Sequence, residues 1–277
     1  MEFSTTTIHP AAITGYILIL LVGLGVDVFF LLRMQRRTSI WPRRARHFLR
    51  RRVVAHDLLV LLAVTFGLYV SVSAILLSTG WADRLYRSTQ FIIYSFTFHW
   101  TVIVCTAILL SVRGVRWRAA FGLHPSRFLA SIRTGIVAYL GMMPVVFVYM
   151  LLFNLLLHTL GQDIGMQEVA EVLAGDGPLL SRIYMFCIAI ALAPVAEELF
   201  FRGLLLPTMA RKFGLSRAIL VTSVLFAAVH PHLPALVPLF VVSVFLCVAY
   251  AYTNSIVVPI VMHMLFNGVN ILLLLAQ

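Results

Sequence analysis

The sequence predicts an all-α, polytopic integral membrane protein, a bundle of about eight transmembrane helices. Composition, run length and loop charge each point there. Of 277 residues, 61% are hydrophobic and only 11% charged, where a soluble domain carries about a quarter. Too little polar surface remains to cover a water-soluble fold of this size, so lipid must act as solvent for much of it. Apolar runs near the ~20 residues of one span fall at about 11–32, 53–77, 89–112, 134–157, 180–209, 216–231, 235–252 and 256–276.

The first run follows an N-terminus with no basic segment and exceeds the core of an ordinary signal peptide, so it reads as a retained span. Nine arginines lie between Arg33 and Arg52, after that run and before the second. Arg113, Arg116, Arg118, Arg127 and Arg133 follow the third run, and Arg211, Lys212 and Arg217 follow the fifth. The fourth connection instead carries Asp163, Glu168, Glu171 and Asp176, and the second sets Asp83 against Arg84 and Arg87. Basic odd loops and neutral or acidic even ones place both termini outside. The net charge of +11 thus reads as topology and contact with anionic lipid, not nucleic-acid binding. The expected setting is the cytoplasmic (plasma) membrane, crossed many times.

Runs six and seven are short and separated by Pro231-His232-Leu233-Pro234, which suggests a helical hairpin. The segment 158–178 reads as a solvated connection, with a short helix around Met166–Leu173 as the alternative. Cys105, Cys187 and Cys247 lie in apolar stretches without paired spacing and read as packing residues. The chain divides into N-terminal accessory helices with basic loops, 1–133, and a C-terminal core, 134–277.

That core holds the chemistry. An ionisable side chain within a span costs about 2.5–3.5 kcal/mol, so a group of them needs partners or a use. The fifth run contains Glu197, Glu198 and Arg202. Glu198 and Arg202 are four apart and can pair along one helix face. Glu197 lies about 100° away, and its i+4 position is the apolar Phe201. Left without a local counter-ion, Glu197 suits a general base. His230 ends the sixth run, and His263 and Asn267 share one face of the last. A histidine and a carboxamide so placed can bind a metal or donate to a developing oxyanion. A lone intramembrane His can serve only to bond a carbonyl, and Asn can glue helices; the joint occurrence on successive helices favours function. Helical rise puts His230 and His263 about 10 Å apart in depth. Asp27 lacks an evident partner, His99 beside Trp100 reads as packing, and His232 as a solvated turn residue.

Glu197–Gly203 (EELFFRG), Phe226–His230 (FAAVH) and His263–Asn267 (HMLFN) resemble the EExxxR, FxxxH and HxxxN motifs of the CAAX-protease and bacteriocin-processing (CPBP/Abi) family of intramembrane metalloproteases. The resemblance covers about residues 180–277. It implies a helical bundle around a polar cavity, endopeptidase activity on a membrane-associated peptide or protein, and zinc as the usual metal. Glu197 would then activate water, His230 would assist or bind metal, and His263 with Asn267 would bind metal or stabilise the oxyanion. Metal ligands would come from Glu197, His230 and His263, with Glu198 and Arg202 in support. A non-proteolytic scaffold or immunity protein is the alternative. A proton-coupled transporter is a weaker one, since no inverted repeat or broken-helix pair is evident.

Overall fold

The computed structural model describes residues 9–34, 55–162, 178–230 and 232–276. The arginine-rich stretch after the first helix, the acidic connection with its alternative short helix, and Pro231 of the predicted hinge lie outside them. The described residues are helical: α1 (Pro10–Met34), α2 (Ala55–Ser78), α3 (Arg87–Val112), the short α4 (Trp117–Phe121), α5 (Phe128–Thr159), α6 (Leu179–Phe213), α7 (Leu215–Ala228), α8 (Leu233–Thr253) and α9 (Val257–Leu275). They form a polytopic bundle. Among the described residues, seven stretches are long and apolar enough to cross a membrane. The sixth predicted span, α7, has only 14 residues, about 21 Å at helical rise.

Large side chains such as Leu21, Leu59, Phe66, Leu77, Leu152 and Leu155 are exposed on the outside of the bundle. Such a surface suits lipid and not water. Hydroxyls within these helices donate back to the carbonyl four residues earlier, as Ser71 does to Gly67 and Thr101 to Thr97. No partner from solvent is then needed in hydrocarbon.

The packing runs α1 on α5, α5 on α8 and α9, α7 on α8, and α2 with α3 beside α6. Small residues set the close approaches: Gly23 of α1 lies against Leu140 and Pro144, and Gly135 of α5 against Val261. Arg113 at the end of α3 donates to Asp57 in the first turn of α2, closing that antiparallel pair. The central core gathers Phe121, Phe201, Leu204, Leu206, Phe226 and Tyr250. A second cluster, including Tyr139, Met142, Val242 and Leu246, fills the seam between α5 and α8.

Helix α6 carries the acid pair and has two wide turns, Ile188–Leu192 and Leu199–Leu205. In each, the hydrogen bond reaches back five residues: Ala193 N donates to Ile188 O, and Leu206 N to Phe201 O. Their cause is in the sequence, because Pro194 and Pro207 follow them. Proline has no N–H, and its ring crowds the carbonyl four residues back, so the ladder slips by one residue.

Candidate active site

The second wide turn follows Glu197 and Glu198 and includes Arg202, all facing the bundle interior. Glu198 and Arg202 are fully buried, at 0% exposure each. Arg202 Nη1 donates to Glu198 Oε1 at 2.6 Å, as the four-residue spacing predicts. Its Nη2 donates to Ser243 Oγ at 2.6 Å and to Ser243 O at 3.3 Å, tying α6 to α8. The guanidinium also stands 4.6 Å from the Phe226 ring centre, a cation–π contact in a dry setting.

Glu198 Oε1 also receives His263 Nδ1 at 2.9 Å. A carboxylate held by arginine can only accept, so Nδ1 carries the proton and Nε2 presents its lone pair. That Nε2 lies 3.8 Å from Glu197 Oε2. The acid pair is thereby divided: Glu198 orients the histidine, and Glu197 meets its open nitrogen. Glu197 Oε2 is buried and makes no hydrogen bond within the protein.

His230 lies just beyond the end of α7 and not within it. Its Nδ1 donates to Phe226 O at 2.7 Å, leaving Nε2 open. The His230 and His263 rings both pack on Phe226, with centres 4.9 and 5.7 Å from it. The two histidines thus share one aromatic neighbour.

Asn267 Nδ2 donates to Ala189 O at 2.8 Å. Ala189 sits in the first wide turn of α6, where Ala193 N bonds Ile188 O instead, so its carbonyl has lost the usual partner. One hydrogen of this carboxamide thus locks α9 to α6; the other is available to a ligand.

A cavity of about 630 Å³ reaches Glu197 and His230. Its far wall includes Leu62 and Tyr69 of α2 and Gln90, Tyr94 and His99 of α3. The site therefore draws on both sides of residue 133. His99 is the residue that sequence reasoning missed. Its Nε2 lies 3.5 Å from Glu197 Oε1, so it faces the acid and does not serve packing alone. Its intramembrane position was the available signal, but no spacing along the chain links α3 to α6.

In donor chemistry this set suits zinc. Two imidazoles have Nδ1 held by protein acceptors and Nε2 open, the arrangement typical of histidine ligands. In placement it is looser, since no three His, Cys, Asp or Glu side chains among the described residues group as a metal site. Of the remaining candidates, Asp27 of α1 lies against Gly141 of α5, and Cys247 is buried beside Ser223 and within reach of Arg202.

Gly203 supports the site from behind. A Cβ there would run into the fully buried Phe121 ring. Gly203→Ala is expected to lower stability by about 1–3 kcal/mol through overpacking, read as a lower melting temperature in detergent. An unchanged melting temperature would show that Phe121 can yield.

Residues 179–269 match the family model described as type II CAAX prenyl endopeptidase, Rce1-like. This bears out the resemblance carried by the three motifs. The matched segment runs from the start of α6 into α9, so α1–α5 lie outside it. No curated protein and no solved structure shows a significant match to the chain.

Proposed function

We propose that the chain is an intramembrane endopeptidase of the CAAX prenyl protease-like type, hydrolysing a peptide bond of a membrane-associated substrate with water activated by Glu197. The observation that carries this reading is the state of Glu197 Oε2: buried, without a hydrogen bond, beside a cavity and facing the open nitrogen of His263. The family model matched by residues 179–269 supports the same class of reaction.

Each residue then has a role. Water enters the cavity and donates one hydrogen to Glu197 Oε2 and the other to His230 Nε2. Glu197 takes the proton as the water oxygen bonds to the substrate carbonyl carbon, whose oxygen becomes an oxyanion. The second N–H of Asn267 is the donor assigned to that oxyanion. The tetrahedral centre collapses, the C–N bond breaks, and the departing nitrogen takes the proton from Glu197. Glu198 and Arg202 take no proton and hold His263 in the required tautomer.

Zinc on Glu197, His230 and His263 is a second form of this proposal, favoured by the open Nε2 atoms. When bound it would act as a Lewis acid toward the water. Metal analysis separates the two forms. Zinc near one per chain, lost in a His230→Ala/His263→Ala variant, is the outcome expected of the metal form; equal zinc in both proteins leaves the glutamate-driven one.

The assay is hydrolysis of an internally quenched peptide ending in a prenylated Cys-aliphatic-aliphatic-X sequence, by purified protein in liposomes. Cleavage at the prenylated cysteine, weaker for the unprenylated peptide, is expected. Equal cleavage of both would remove the prenyl preference. No cleavage of either, with Glu197→Gln retaining the biological phenotype, would favour the scaffold reading.

A further inference from the structure

The family match ends within α6–α9, yet Glu197 is met from both flanks, and one flank is α3. His99 Nδ1 lies 2.6 Å from Ser95 O and 3.2 Å from Ser95 Oγ. A carbonyl oxygen can only accept, so Nδ1 is the donor, and Nε2 meets an ionised Glu197 as a donor when it too carries a proton. That Nε2 points at Glu197 Oε1, 3.5 Å away. Both side chains are nearly enclosed, His99 at 13% exposure and Glu197 at 17%, and both line the same cavity. Each oxygen of Glu197 therefore faces one imidazole: Oε1 faces His99 from α3, and Oε2 faces His263 from α9.

We propose that His99 is a positioning residue for the Glu197 base, supplied by the N-terminal half of the chain and fixed by the Ser95 carbonyl. The inference rests on the reading of Glu197 as base and extends the working unit beyond the matched segment. A carboxylate at the end of a two-torsion side chain can rotate, and rotation would turn Oε2 away from incoming water. His99 restricts that rotation from the side opposite His263. The helix pair α2–α3 is then part of the catalytic assembly, because its packing against α6 sets the distance between His99 and Glu197.

The test compares His99→Leu, which keeps apolar volume, with His99→Gln, whose amide reaches about as far as Nε2 and offers an N–H to Glu197. Both are assayed in liposomes with the quenched prenylated peptide, beside wild type and Glu197→Ala. A positioning role predicts a 10- to 100-fold fall in kcat for His99→Leu, KM within about twofold, and recovery of most of kcat in His99→Gln. A packing role predicts wild-type kcat for His99→Leu, or equal losses in both variants, and either result overturns the proposal. An active Glu197→Ala protein would instead overturn the parent reading. A melting-temperature cycle of His99→Leu, Glu197→Ala and the double variant gives a readout independent of activity. A double variant whose shift departs from the sum of the single shifts supports the contact; additive shifts overturn it.

Discussion

Glu197→Ala protein is expected to insert, fold and extract from membranes like wild type, yet to cleave nothing. Loss of a general base costs on the order of 10²- to 10⁴-fold in rate, enough to take a slow membrane protease below detection. The fold should survive because Glu197 contributes little to it. Its Oε2 makes no hydrogen bond, and its two histidine neighbours stand at 3.5 and 3.8 Å, beyond good hydrogen-bond length. Truncation therefore strands no donor that depends on it, and removes an ionisable group from an apolar setting. The melting temperature should be unchanged or slightly raised, as is common when a strained functional group is deleted. Full activity on the prenylated peptide would exclude Glu197 as the base. A large fall in melting temperature would instead make it a structural residue.

Arg202→Met should do the opposite and strike the fold first. Arg202 has no exposure and is held by Glu198 and Ser243 while it stacks on Phe226. Removing it leaves Glu198 as a buried charge without compensation, a loss of about 3–5 kcal/mol. Most of the protein should fail to accumulate, and the remainder should melt early. Removing both partners, as in Glu198→Leu/Arg202→Met, should recover much of that stability, because apolar replacements of buried ion pairs are often neutral. Activity should not return, since His263 Nδ1 would then lack the carboxylate that sets its tautomer. Stability and activity thus separate in the double variant. A single Arg202→Met variant as stable as wild type would show the pair to be dispensable.

The two carboxylates are neighbours in sequence, and their opposite expected behaviours follow from helix geometry. That division is legible in the sequence, because a four-residue spacing pairs Glu198 with Arg202 whatever surrounds them. The bundle was equally legible from apolar run lengths, which hold for any helix in lipid. Composition marked a sixth span, but α7 is 14 residues long, and His230 falls in the turn beyond it. Proline positions were visible, while the wide turns they force in α6 emerged with the backbone. Asn267 was a candidate donor in sequence; the freed carbonyl of Ala189 that takes one of its hydrogens appears only with those turns.

The sequence by itself determined that this is an all-helical membrane protein, which residues in its last third are costly enough in lipid to need a use, and how the acid pair splits. These are consequences of local periodicity and solvent preference. The tertiary structure alone decided which nitrogens meet Glu197. His263 arrives from α9 and His99 from α3, the latter 98 positions before Glu197 in sequence. Their distances depend on how helices pack, set by small residues, proline-shifted ladders and shared aromatic contacts. No pattern along one strand of sequence encodes that meeting.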